Sequence, residues 1–181
     1  MSALTWMCTH SGKQFYPLMP NPELIDIDDI AHALSHLCRW AGHVDRFYSV
    51  AEHSCRVAAL FAKPKLALYG LLHDAAEAYL VDVPRGIKHT MREYVVAEER
   101  LLRMIVEKYG LAWPIPRAIK IADNRLLATE WRDLMDSGRG LVPLGNDAPP
   151  LEHTIRPWSF ESARVLFRQR FDQLMETYHA E

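Results

Sequence analysis

The sequence predicts an all-α fold. Apolar residues recur at helical spacing through several long stretches, helix-capping signals open those stretches, and neither strand alternation nor a hairpin turn signal appears. The chain has 181 residues, 49% of them hydrophobic and 24% charged, which suits one domain over 1–181 with a sizeable core. Six or seven helices are expected, with no internal repeat or low-complexity tract.

Residues 1–25 hold Gly12, Pro17, Pro20 and Pro22 and read as irregular. Asp26 caps a helix whose apolar face is Ile27, Ile30, Ala31, Leu34, Leu37 and Cys38, running through Arg39-Trp40 to a cap at Gly42. On it, His32 and His36 have zinc-pair spacing but no third ligand nearby, and read as solvent-facing. After the loop Val44–Tyr48, Ser49-Val50-Ala51-Glu52 is a capping box, so the next helix starts at Val50. Its core face is Val50, Val57, Leu60 and Phe61. Pro64 opens a buried helix carrying Leu66, Tyr69, Leu72, Ala76 and Leu80, and Pro84 stops it. A turn with a short helical piece follows over 81–88. A second capping box, Thr90-Met91-Arg92-Glu93, opens a long amphipathic helix through Val95, Leu102, Ile105, Val106 and Tyr109, closed by Gly110. Glu98-Glu99-Arg100 is its solvated face. Pro114-Ile115-Pro116 introduces a helix to about Ser137-Gly138, with Ile119, Ala122, Leu126, Leu127 and Leu134 inward. Residues 138–158 read as a Gly/Pro-rich loop, and 159–179 as a final helix with Ala163, Leu166, Phe167, Phe171, Leu174 and Tyr178 on its apolar face.

Charge and cysteine usage narrow the function classes. A net charge of −2 offers no footprint for duplex nucleic acid, so a nucleic substrate is expected to be small. Cys8, Cys38 and Cys55 are odd in number and share no metal or disulfide spacing, which reads as reduced thiols. The start lacks the basic-then-apolar order of a signal peptide, and no apolar run approaches the roughly 20 residues of a membrane span. A cytoplasmic protein without membrane contact is expected.

The chemistry concentrates in His73, Asp74 and Glu77, set into an otherwise apolar segment. Glu77 follows His73 by four residues and Asp74 by three, so on a helix all three project to one side. Two carboxylates and an imidazole are costly to bury unless a cation compensates them. His53 falls in the first turns of its helix, where the positive dipole end disfavours imidazolium and suits a neutral ligand. Asp123 and Glu130 lie among the core residues of their helix, where each needs a cation or several donors; a salt bridge to Lys120 or Arg125 is the simple alternative. Two imidazoles and two carboxylates (His53, His73, Asp74, Asp123) suit one borderline divalent ion and leave two octahedral positions open.

The order His53, His73-Asp74, Asp123 resembles the HD-domain metal-dependent phosphohydrolases, most closely the bacterial 5′-deoxynucleotidases and a prophage-type branch near them. The resemblance covers about Ser11 to Asp133. It rests on Arg39-Trp40, Ala51-Glu52-His53-Ser54, His73-Asp74-Ala75-Ala76-Glu77, Asp82-Val83-Pro84 with Lys88, and Ala122-Asp123. It implies an HD-type helical bundle that cleaves small deoxynucleotides. His53, His73, Asp74 and Asp123 would hold one divalent ion (Co²⁺, Mn²⁺, Zn²⁺, Fe²⁺ or Mg²⁺). Glu77 would act on the attacking water or leaving oxygen, Arg39 and Trp40 would contact phosphate and deoxyribose, and Asp82 and Lys88 would line the same pocket. Phe47-Tyr48-Ser49-Val50 and Leu127-Ala128-Thr129-Glu130 resemble the prophage-type branch. That leaves open whether phosphate leaves a monophosphate or triphosphate leaves a deoxynucleoside triphosphate. A two-metal HD phosphodiesterase needs further histidines between Asp74 and Asp123, where only His89 lies. A non-catalytic nucleotide-binding or protein-binding HD module would have lost a ligand or the acid–base glutamate, and all five positions are intact. Homodimers are common in the family, though no residue pattern here marks a dimer face.

Overall fold

The structure, a computed structural model, describes residues 5–136 and 148–180. It is all-α, 62% helical and 4% strand. The strand content is an antiparallel pair, β1 (Met7–Cys8) with β2 (Gln14–Phe15), inside the segment expected to be irregular. Two residues per strand are too few to show alternation. Phe15 is fully buried and stacks on Tyr79, which fastens the pair to the core.

Helix α1 (Ile27–His36) begins at Asp26, whose side chain accepts from the Asp28 amide as expected. It ends well before Gly42. Leu37–Arg39 instead pair with Tyr48–Val50 through Val50 N–H to Leu37 O (3.0 Å) and Arg39 N–H to Tyr48 O (2.9 Å). The chain then turns through Arg39–Gly42, with Trp40 (φ 58°), Ala41 (φ 49°) and Gly42 (φ 81°) all left-handed. Two consecutive non-glycine residues there are strained, at roughly 1–3 kcal/mol each.

Helix α2 (Val50–Ala59) starts where the capping box places it, with Ser49 Oγ accepting from the Glu52 amide at 3.1 Å. The reciprocal half of the box is absent. The Glu52 carboxylate instead takes the Trp158 amide (2.8 Å) and Arg56 (2.7 Å), tying α2 to the approach of the last helix.

Pro64 opens α3 (Pro64–Leu72), but the expected continuous helix to Leu80 breaks. His73–Ala76 form turns before α4 (Glu77–Leu80). Across the break the amides of Ala75, Glu77, Ala78 and Tyr79 bond three residues back rather than four, a tightened 3₁₀-like winding. The His73 ring starts it by bonding its own Nδ1 to Gly70 O at 2.8 Å.

After α5 (Arg85–Lys88), the long α6 (Arg92–Lys108) starts without the second capping box: Thr90 Oγ1 donates to Ile87 O and no side chain caps the helix. Gly110 closes α6 at φ 76° as expected. Helix α7 (Arg117–Glu130) continues into a π-helical turn, Trp131–Asp136. The expected end at Ser137-Gly138, and residues 138–147 of the expected loop, lie outside the described residues; 148–158 carry no helix or strand. Helix α8 (Phe160–Ala180) packs Ala163, Phe167, Phe171 and Leu174 against α1, α2 and α3, while Leu166 and, on α6, Val95 are exposed rather than inward.

Gly70 sets the separation of α2 and α3. A Cβ there would lie 3.0 Å from Ala58 Cα and 3.1 Å from Ala58 N, both backbone atoms that no rotamer change can move. Gly70→Ala is therefore expected to destabilise the fold. Overpacking costs about 1–3 kcal/mol, more than the roughly 0.5–1 kcal/mol alanine gains over glycine in a helix. A lowered urea midpoint at unchanged slope is the expected result; an unchanged midpoint would mean the two helices do not meet there.

Candidate metal centre

Two helices and one turn bring the predicted ligands together. His53 comes from α2, fully buried. His73 and Asp74 come from the break after α3, and Asp123 from the buried face of α7. His53 Nε2 stands 3.3 Å from His73 Nε2, 3.3 Å from Asp123 Oδ1 and 3.6 Å from Asp74 Oδ2. His73 Nε2 is 3.2 Å from Asp74 Oδ2. Atoms about 2.1 Å from one ion lie roughly 3.0 Å apart at a right angle and roughly 3.4 Å apart at the tetrahedral angle, which these distances match. His53, His73 and Asp123 can each offer one ligand atom, all within 4.8 Å of one another. Asp74 Oδ2 touches both imidazoles and also faces Arg39 Nη1 at 3.6 Å.

Each imidazole is held at its other nitrogen. His73 Nδ1 bonds Gly70 O and His53 Nδ1 bonds Glu130 Oε1 at 2.6 Å, so both Nε2 atoms are left to face the centre. This is the outer-shell arrangement that orients histidine ligands in metal sites. Burial and the Arg39 charge push the His53 imidazole down, but Glu130 and Asp123 outweigh them and lift it to about 9. Burial raises the Asp74 and Asp123 carboxyls, yet the histidines hold both below the ordinary range, with Lys120 adding to the effect on Asp123. The cluster thus favours ionised carboxylates and a positive charge among them. A divalent ion fits that donor set.

The two carboxylates of the cluster, Asp74 and Asp123, line a cavity of about 690 Å³. Arg39, Trp40, Glu77, Asp82 and Lys88, all predicted as pocket residues, line it. Glu77 is buried, and its Oε2 has no hydrogen-bond partner among the described residues. Burial, reinforced by Asp74 and Asp82, pushes its carboxyl well above the usual range. Burial also raises Asp82, against Arg39. Lys88 is less available than expected, for its Nζ pairs with Glu98 at 2.6 Å and is 3.9 Å from Glu77.

Three residues of the site were not among its predicted members. Glu130 has the several donors a carboxylate on the core stripe needs, rather than the alternative salt bridge to Lys120 or Arg125: fully buried, it accepts from His53, from Arg39 Nε (3.1 Å) and from Trp40 Nε1 (3.2 Å). Its place on an apolar stripe was the available signal. Arg85 and Lys120 line the cavity mouth, each exposed and each on Asp123 Oδ2 (3.4 and 2.6 Å). Lys120, three residues before Asp123, is the salt-bridge partner that its spacing offered, whereas the exposed Arg85 carried no sequence signal. His32 and His36 lie elsewhere, in a stack with His10. His36 is exposed as expected and His32 is half-buried. The His10 and His32 ring centroids are 3.5 Å apart and the planes 6° from parallel, which presents ring faces to each other rather than lone pairs.

Fold and site together define an all-α protein with a buried His/Asp cluster able to hold a metal ion. The chain is 39% identical over 175 residues to the uncharacterized protein YfdR of Escherichia coli (strain K12), covering 96% of this chain and 97% of that one, and it belongs to the YfdR family. It is also 40% identical over 132 residues to an uncharacterized protein of Rhodobacter capsulatus, covering 66% of this chain and 67% of that one. No protein-family model matches the chain. Among the described residues no helix is long and apolar enough to cross a membrane.

Adding Zn²⁺ or Mn²⁺ to chelator-treated protein is expected to raise its stability, by about 2.7 kcal/mol at a hundredfold excess over Kd. His73→Ala should abolish the rise. An equal rise in the variant, followed by thermal melting, would place the ion elsewhere.

Proposed function

We propose that the protein is a metal-dependent phosphohydrolase of the HD type acting on small deoxynucleotides, releasing phosphate from deoxynucleoside 5′-monophosphates. The observation that carries this reading is the convergence of His53, His73, Asp74 and Asp123 beside a cavity that the two aspartates line, together with a buried guanidinium and a carboxyl disposed to stay protonated. A divalent ion held there would polarise a phosphoryl oxygen and activate water.

The chain's own groups then have distinct tasks. Arg39 has its Nε on Glu130 and its Nη1 3.6 Å from Asp74 Oδ2, so Nη2 is the nitrogen left for a phosphate oxygen. Trp40 borders the same cavity, where its ring packs against the sugar and disfavours a 2′-hydroxyl. Water adds to phosphorus, the bond to the 5′ oxygen breaks, and Glu77 delivers the proton that oxygen needs; the products are deoxynucleoside and phosphate. Glu77→Ala is expected to lower turnover by about 10²–10⁴-fold with metal content unchanged by elemental analysis. Turnover within a few-fold of the parent would move the role to Asp82. Product analysis across deoxy- and ribonucleoside mono-, di- and triphosphates with several divalent ions tests the whole reading. Folded, metal-loaded protein that releases no product from any of them would leave a non-catalytic binding module.

A second reading, triphosphate release from deoxynucleoside triphosphates, is favoured by Arg85 and Lys120. Two exposed cations at the mouth are more than a monophosphate already served by Arg39 requires. If triphosphate is the substrate, the double variant Arg85→Ala/Lys120→Ala should lose roughly 10–100-fold in kcat/KM for it, as charge-assisted hydrogen bonds of about 1.5–3 kcal/mol imply. Activity on the monophosphate would hold. Equal loss on both would assign these cations to Asp123 rather than to substrate.

A further inference from the structure

The two oxygens of Glu130 serve different halves of the site. Oε1 takes the Nδ1 of His53, the buried imidazole at the centre of the candidate ligand set. Oε2 takes Arg39 Nε and Trp40 Nε1, the side chains of the turn in which Trp40 and Ala41 hold left-handed backbone conformations. The turn's backbone is further fastened by the Arg39 amide on Tyr48 O and the His43 amide on Trp40 O, while Arg39 Nη1 stands 3.6 Å from Asp74 and the Trp40 ring lies tilted against Trp131; Glu130 is the one group that bonds both side chains. Glu130 is itself fully buried and lies where α7 widens into the π-helical turn, so the backbone that carries it is specialised at that point.

We propose that Glu130 is a positioning residue that locks the metal-ligand imidazole and the sugar- and phosphate-reading turn to one another, so that metal affinity and discrimination for deoxyribose depend on the same carboxylate. This rests on the reading of the cavity as a deoxynucleotide site. A glutamine cannot replace the carboxylate, because its amide nitrogen has no lone pair to accept from either side. Whichever side the amide nitrogen faces then sets donor against donor, and the repulsion displaces the shared side chain from the other half as well. An aspartate keeps two acceptor oxygens on a shorter arm.

The test is made on the full chain with Glu130→Gln and Glu130→Asp, their folding checked by circular dichroism. Zn²⁺ affinity is measured by chelator competition. The affinity ratio for the 5′-phosphonate analogues of deoxyadenylate and adenylate, which bind without being cleaved, is measured by calorimetry on Zn²⁺-loaded protein. Glu130→Gln is expected to weaken Zn²⁺ about 10–100-fold, as outer-shell changes at metal sites do, and to bring the deoxy/ribo ratio close to one. Glu130→Asp should recover part of both. Unchanged Zn²⁺ affinity in folded Glu130→Gln overturns the proposal, and so does a weakened Zn²⁺ site with the parental sugar ratio. A parent with no deoxy preference overturns it as well. Because both measurements are equilibria, a parent that binds the deoxy analogue selectively yet cleaves no nucleotide fails the hydrolase reading alone.

Discussion

Three carboxylates, Asp74, Asp123 and Glu130, meet two imidazoles at the candidate metal centre, and much of the structure follows from keeping them compensated. Isolated buried charges are prohibitively costly, and a buried pair repays its desolvation only when further hydrogen bonds complete it. Arg39 supplies one fixed positive charge, between Glu130 and Asp74. The second comes from His53, whose imidazole is lifted to about 9 by the carboxylates around it. A divalent ion would take the place of that proton and face the same oxygens, so the environment that stabilises imidazolium here is also one that favours a bound cation.

The departures from regular structure gather around this cluster. Trp40 and Ala41 are left-handed, the helix carrying His73 tightens at the ligand pair, and α7 widens immediately after Glu130. Val81, one residue before Asp82, adopts φ 70° and ψ 151°, a region close to glycine-only, with its carbonyl bound by the Tyr94 hydroxyl. Strained conformations survive where surrounding contacts over-determine them, and they concentrate at functional sites. Two regular helices crossing near Gly70 would set their side chains at fixed helical angles. The tightened winding at His73 lets its ring use Nδ1 on the preceding turn and present Nε2 to His53.

What the sequence made legible is what local chemistry decides. Asp26, Ser49, Pro64 and Gly110 mark helix ends because their effect acts within one turn, and the two histidines and two aspartates are readable because apolar stripes seldom carry such groups. The rest was settled by distant partners. Nothing between Leu37 and Ala41 breaks a helix, so the early end of α1 depends on pairing with Tyr48–Val50, across a loop. Thr90 bonds backward to Ile87 instead of forward, a local competition that spacing alone does not decide. Glu130 was visible as an oddity, but its partners lie 77 to 91 residues away in the chain, and the nearer cation Lys120 serves Asp123.

The cavity has a rigid floor and an adjustable rim. Arg39 lines the cavity and is held from behind by the buried Glu130, which also bonds His53, so a group docking on the guanidinium would meet preset geometry and lose little entropy on binding. Arg85 and Lys120 are exposed on long arms, each resting on an oxygen of a candidate ligand. On the proposed reading, a divalent ion drawing on Asp123 would weaken those two contacts and free the cations for an anion at the mouth. A single phosphate would then be specified by the floor alone, whereas added phosphates would extend toward the rim. The number of phosphates accepted would thus depend on two solvent-facing cations, separately from the buried groups proposed to perform the chemistry.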